Sequence, residues 1–228
     1  MLFSSKSNPE LISLHIPKTA GTSFRNILKS VYGEREVGWL DMETNGVVRL
    51  NEVVYNKNKL PDLKVIHGHF IYDDLLQRFE LKSNYKIITW VRDPVNRVIS
   101  NFYYLESRLK ELLDEEKNNL NIISKLQRTL MEYARADINR NRQSKFLAGS
   151  KPEDFDFIGV YEFFDQELDR LSSVLNWNSI PEILYYNKTN GSIISHSDEI
   201  IDEIRDLNLE DVKLYDEAVK IRITSIGL

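Results

Sequence analysis

The chain has 228 residues, 42% of them hydrophobic and 29% charged, with a formal net charge of −5. That is enough apolar material for a substantial core, and a single domain over residues 1–228 is expected. There is no cysteine, which excludes disulfides and thiolate metal sites, and no apolar run long enough to span a bilayer.

The charge is uneven along the chain. Residues 1–151 hold 24 Lys and Arg against 18 Asp and Glu, whereas residues 152–228 hold 6 against 17. A basic first part suits an anionic ligand, and the acidic remainder reads as a solvated helical surface. Nucleic acid is not expected as a partner, because the whole chain is acidic and carries no recognised reader motif.

Leu11-Ile12-Ser13-Leu14 reads as a buried strand, and His15-Ile16-Pro17-Lys18-Thr19-Ala20-Gly21-Thr22-Ser23 follows it. Phe24, Ile27, Leu28 and Val31 then recur at helical spacing. Thr22 and Ser23 therefore fall at a helix start, where unpaired N–H groups and the positive dipole end face outward. Gly21 lets a ligand approach the backbone, Lys18 adds a point charge, and the two hydroxyls add donors. Taken alone, the same residues also describe a plain strand-to-helix turn with a Thr cap and a solvated Lys.

Residues 34–62 are polar and read as an irregular excursion, with Trp39 and a turn at Asn45-Gly46. Val65-Ile66 is a short apolar segment ending in His67-Gly68-His69-Phe70. Alternation along a strand is taken to send the two imidazoles to opposite faces. With no Cys or third His nearby, no metal site is expected. His15 and His196 have no comparable claim to a role.

Residues 86–91 form a second buried strand that runs into Arg92-Asp93-Pro94, with Asp93 as N-cap and Pro94 at the first helical position. Val95, Val98, Ile99, Phe102, Leu105 and Leu109 continue one apolar face. The chain thus has two strand-to-helix turns, each with a cation and hydroxyls at the carboxyl end of a strand, where open α/β sheets bind ligands. Helices are expected over 94–113 and 120–136, joined by the polar stretch 114–119, and a strand over 155–161. A helix with Phe164, Leu168, Leu171 and Leu175 follows, then two terminal helices marked by Ile200, Ile201 and Ile204 and by Val212, Tyr215 and Val219. This alternation predicts a three-layer α/β fold around a central parallel sheet flanked by helices, with the first strand central.

Two motifs in this order carry a family resemblance. Pro17-Lys18-Thr19-Ala20-Gly21-Thr22-Ser23 and Arg92-Asp93-Pro94-Val95-x-Arg97-x-x-Ser100, followed by Phe102-Tyr103-Tyr104, are similar to the nucleotide elements of sulfotransferases that use 3′-phosphoadenosine 5′-phosphosulfate. Within them the chain most resembles the carbohydrate branch that contains the heparan sulfate 2-O-sulfotransferases. Asn141-x-Gln143-Ser144-Lys145-x-Leu147 and Phe157-Ile158-Gly159-Val160-Tyr161-Glu162 resemble later family segments less distinctively.

The resemblance implies a P-loop-like fold and a cosubstrate held by Lys18, Thr19, Ala20, Gly21, Thr22 and Ser23 at its 5′-phosphosulfate and by Arg92 and Ser100 at its 3′-phosphate. It also implies His69 as catalytic base, with His67 orienting or assisting and Lys18 stabilising charge on the transferring group. The acceptor would be a hydroxyl of a glycan or glycoconjugate, with residues 34–62 bordering its site. No metal is required, since a sulfuryl group carries less charge than a phosphoryl group. Golgi members of the branch carry a membrane anchor that is not seen here, so a cytoplasmic enzyme is expected. Arg135, Arg140, Arg142 and Lys145 read either as a solvated helix end or as contacts to donor or acidic glycan. A nucleotide kinase is the rival enzyme, but Lys18 precedes Gly21 instead of following a second glycine as a Walker loop requires. A non-catalytic glycan- or nucleotide-binding protein would retain the cradle without turnover.

Overall fold

Four strands are buried over most of their length, and three of them, all but the histidine-bearing one, carry mostly apolar or small residues, as burial on both faces of a parallel sheet demands. They are β1 (Leu11–Leu14), β5 (Val65–His69), β6 (Lys86–Val91) and β7 (Phe157–Val160). With β2 (Val37–Met42), β3 (Val48–Leu50) and β4 (Val53–Val54) they form a seven-stranded sheet in the order β4-β3-β2-β5-β1-β6-β7. The pairings from β2 across to β7 are all parallel, and β1 lies at the middle of that run. β3 and β4 continue the sheet antiparallel at one edge. The computed structural model describes residues 9–81, 84–115, 120–181 and 196–227.

Helices cover both faces. α1 (Gly21–Tyr32) and α7 (Phe164–Val174) pack on one, where Leu11, Phe24, Leu28, Trp90, Phe157, Leu168 and Leu171 are buried together. α2 (Tyr72–Arg78) and α9 (Leu209–Ser225) pack on the other, against Ile12, Leu14, Ile66, Phe70, Leu75, Val91 and Ala218. A third cluster of Val95, Val98, Leu130, Tyr133 and Ile204 joins α3 (Pro94–Glu115), α5 (Leu130–Arg135) and α8 (Asp198–Asp206). Each fully covered Leu, Ile or Phe contributes about 1.5–3 kcal/mol relative to exposure.

Three expectations need correction. Residues 34–62 are not merely irregular: β2, β3 and β4 extend the sheet through them, with Asn45-Gly46 in the turn between β2 and β3. β3 and β4 lie towards the sheet edge, short and partly exposed, so they lack the apolar density that signals a central strand, whereas β2 is buried or half-buried along its length. The helix expected over 120–136 is two, α4 (Leu120–Leu126) and α5. Thr129 starts the second with a capping box, its hydroxyl accepting from the Glu132 N–H while the Glu132 carboxylate accepts from the Thr129 N–H. The acidic last third is not all solvated, for Glu167 and Asp211 are 1% and 0% exposed and face arginines. In the polar stretch 114–119, α3 runs on to Glu115, and residues 116–119 lie outside the described residues.

Candidate active site

β1 ends at Leu14 and the chain turns through residues 15–20 into α1, with Lys18 (φ 74°) and Ala20 (φ 71°) in the left-handed region. That conformation is costly without glycine and recurs at functional loops. The buried Thr19 hydroxyl donates to the Ile16 carbonyl at 2.8 Å, so it braces the loop from within. Gly21, Thr22 and Ser23 are the first residues of α1, and Phe24 N–H closes the first helical bond on the Ala20 carbonyl at 2.9 Å. The N–H groups before it are the ones a helix start turns outward. Gly21 has a second reason to be glycine: a Cβ there would lie 1.8 Å from His15 Nε2.

Lys18 Nζ sits 4.0 Å from the centre of the Tyr104 ring on α3. Burial, then the neighbouring Arg92, lowers the Lys18 ammonium to about 8. Ser100 stands one helical turn before Tyr104, so both face the side of α3 on which Lys18 rests.

Arg92 follows β6 and donates from Nη1 to the Lys18 carbonyl at 3.2 Å, which ties the two turns together. Its guanidinium lies 4.5 Å over Tyr161, and its Nε is buried with no partner. No hydrogen bond joins it to Ser100. The next residues behave as the sequence predicts: Asp93 Oδ1 accepts from the Asn96 N–H at 2.8 Å and caps α3, which begins at Pro94.

A buried polar brace holds Arg92. Gln143, in α6 (Arg142–Phe146), exchanges two hydrogen bonds with the Arg92 backbone, and its own N–H donates to Asp211 at 3.0 Å. Asp211 also takes the Ser144 N–H and hydroxyl and faces the buried Arg97 guanidinium at 4.0 Å. The cations expected around this motif are largely engaged: Arg135 pairs with Glu203 at 2.7 Å, Arg140 with Asp137 at 3.4 Å, and Lys145 reaches the Asp137 carbonyl at 2.5 Å.

The histidines depart from expectation. Residues two apart on a strand share a face, and the His67 and His69 rings both stack on His15, at 5.2 and 4.6 Å between centroids. His15 is thus a member of the site that its isolated position in the sequence conceals. Both of its ring nitrogens are buried without partners. Burial, followed by His67, His69 and Lys18, holds its pKa well below the ordinary range.

His67 is 1% exposed, with Nδ1 2.9 Å from the Ser13 hydroxyl. Burial, then His69 and Arg25, lowers it to about 3, so it stays neutral. It does not reach solvent. His69, at the carboxyl end of β5, is partly exposed, with Nδ1 3.0 Å from Asp41 Oδ1. Trp39 Nε1 donates to the other Asp41 oxygen at 2.5 Å. Burial pushes the Asp41 carboxyl up, but the hydrogen bonds from His69 and Trp39 outweigh it and leave it below the usual range. Asp41 is the second residue that sequence reasoning missed; its only signal is the alternation Trp39-x-Asp41.

Beside this group a cleft of about 490 Å³ is lined by Arg25, Lys29, Glu34, Trp39, Asp41 and Asn51 among others. The Arg25 guanidinium lies 4.8 Å over Trp39. No group of three or more His, Cys, Asp or Glu suited to a metal occurs among the described residues. None of their helices is long and apolar enough to cross a membrane.

Comparison with known proteins gives this geometry a lineage. Human heparan sulfate 2-O-sulfotransferase 1 is 31% identical over 103 residues, covering 42% of this chain and 29% of that protein. Its Gallus gallus counterpart is 32% identical over the same shares. The matched segment spans less than a third of these relatives. Among solved structures, the sulfotransferase from Alicyclobacillus acidocaldarius has a TM-score of 0.53 at 12% identity, covering 94% of this chain and 96% of that one, a likeness of fold. A model described as the sulfotransferase family matches residues 2–216, nearly the whole length, and the chain therefore belongs to that family.

Proposed function

We propose that this chain transfers a sulfuryl group from 3′-phosphoadenosine 5′-phosphosulfate to a hydroxyl of a carbohydrate or glycoconjugate. One observation carries this: Lys18 with the start of α1, Arg92 and His69 all stand at the carboxyl edge of one parallel sheet, which is where such sheets bind ligands. The loop also fits a multiply anionic donor. It presents a helix start, an ammonium and a guanidinium whose buried Nε has no acceptor.

In this scheme the N–H groups of residues 21–23 and Lys18 hold the 5′ end, and Arg92 and Ser100 hold the 3′-phosphate. His69 takes the proton of the attacking hydroxyl. Lys18 stabilises charge that builds on the transferring and leaving oxygens, a role suited to a donor fixed beforehand. Nothing in this scheme calls for a metal. A glycan acceptor is supported by the names of the matched relatives.

The test is a mass-spectrometric screen for sulfated products, with the donor offered against glycans, glycolipids and small alcohols. Sulfated glycan or glycolipid is expected. A magnesium-dependent ATP requirement, or tight adenosine bisphosphate binding with no product, would refute sulfotransfer; product on small alcohols alone would remove the glycan acceptor.

A further inference from the structure

β2 and β5 run parallel in a register that sets Trp39 opposite His67 and Asp41 opposite His69. Backbone pairing therefore delivers a carboxylate to the imidazole, across 28 residues of sequence, at 3.0 Å. The carboxylate has little freedom, because its other oxygen takes the Trp39 indole N–H. Nor has the imidazole, which lies against His15 at 4.6 Å and meets the edge of Trp39 at 4.9 Å.

An ionised carboxylate only accepts hydrogen bonds, so the imidazole nitrogen facing it must carry the proton. We infer that Asp41 is a positioning residue: it holds His69 in the tautomer protonated on Nδ1 and so makes Nε2 the proton acceptor. This rests on the proposed sulfotransfer for its use, though not for the pairing itself.

The step balances as follows. The acceptor oxygen forms a bond to sulfur as its O–H bond breaks, and the proton passes to His69 Nε2. The bond from sulfur to the 5′-phosphate oxygen breaks with its electrons, and adenosine 3′,5′-bisphosphate leaves. The imidazolium so formed faces an ionised Asp41, an opposite charge within hydrogen-bond reach. The other titratable groups around His69 offer that charge no partner: His15, stacked on it, and His67, on its own strand, are buried and neutral, while Lys18 beside His15 and Arg25 beside His67 are cations that work against it. Asp41 is the only carboxylate in hydrogen-bond contact with the ring among the described residues.

Two readouts test this. Asp41→Asn should lower turnover by roughly 10²–10⁴, the cost of a base held in the wrong tautomer, while affinity for adenosine 3′,5′-bisphosphate stays within twofold. Independently of activity, nitrogen-15 NMR of the four histidines should place the His69 proton on Nδ1 in the parent protein and move it towards Nε2 in Asp41→Asn. Asp41→Glu should restore part of both. If Asp41→Asn does not fold, Trp39→Phe removes the indole N–H from Asp41 together with part of the ring that meets His69, leaves the carboxylate in place, and should give a smaller loss with a mixed tautomer. Unchanged turnover and an unchanged Nδ1–H tautomer in a folded Asp41→Asn variant would overturn the assignment. A parent protein that sulfates nothing, yet whose His69 tautomer answers to Asp41, would instead refute sulfotransfer and keep the pairing.

Discussion

The side-chain amide of Gln143 brackets the backbone of Arg92. The Arg92 N–H donates to Oε1 at 2.8 Å, and Nε2 donates to the Arg92 carbonyl at 2.9 Å. Gln143 is fully buried, and removing its amide takes the partner from two backbone groups, at about 1–3 kcal/mol for each one that water does not reach. The guanidinium it aims is the group assigned here to the 3′-phosphate.

The parent protein should accordingly bind adenosine 3′,5′-bisphosphate much better than adenosine 5′-monophosphate. Arg92→Ala should narrow that preference by weakening the bisphosphate alone. Gln143→Ala should narrow it several-fold with Arg92 still present, along with a lowered melting temperature. Calorimetric titration of both nucleotides into the three proteins decides it, and equal affinities in the parent would remove the proposed donor.

Lys18 is lowered to about 8 in the free protein, by burial and then by Arg92. An anionic donor favours the charged form and raises that value, so binding near pH 8 should take up a proton. Titrations in buffers of different ionisation enthalpy should show the uptake, and affinity should weaken as pH rises above about 8. Lys18→Met should abolish both effects and depress turnover. A parent protein with no proton uptake would take Lys18 away from the donor.

His69→Ala should lower turnover by roughly 10²–10⁴ if the imidazole is the general base, with bisphosphate affinity unchanged. His67→Ala should cost less in the chemical step. The opposite ranking, in folded proteins of equal donor affinity, would reverse the assignment.

Gly21→Ala places a methyl group on His15 Nε2, at 1.8 Å before any shift. Overpacking of this kind costs about 1–3 kcal/mol, and the displaced ring should disturb His69, which stacks on it. Combining Gly21→Ala with His15→Ala should recover part of the lost stability, as measured by denaturant melts. Strict additivity of the two would mean that the ring and the helix start do not press on each other.

His67 is held neutral at about 3, and His15 is also lowered, while an unfolded histidine protonates near 6.5. The unfolded chain therefore binds more protons throughout that interval. Stability should be complete above about pH 6.5 and fall as pH drops towards 3, by about 1.4 kcal/mol per pH unit for each histidine kept neutral. Denaturant melts between pH 5 and 7 should show the slope before most carboxylates titrate, and His67→Gln should reduce it. A flat profile would show that the imidazoles accept protons in place.

What was legible in the sequence was whatever depends on local chemistry. The runs at β1, β6 and β7 are apolar because both faces are covered, and Asp93-Pro94 starts α3 because a cap and a fixed φ suit that place. What stayed hidden depends on register. His15, Trp39 and Asp41 come to His67 and His69 only because β2 and β1 flank β5, and no spacing along the chain announces that adjacency. β3 and the edge strand β4 are short, and β4 is exposed, so their composition looks like that of a loop.

The carboxylate that steadies Gln143 is Asp211, which lies on α9 and was read from the sequence only as part of an acidic surface. The brace of the second turn is therefore completed by the last helix to be synthesised. A nascent chain that has delivered residues 1–200 already carries both strand-to-helix turns of the proposed donor site, yet the helix that locks the second of them has not emerged. Competence to grip the donor should arrive with the last segment of the family match, as a late and abrupt event in folding and not a gradual gain.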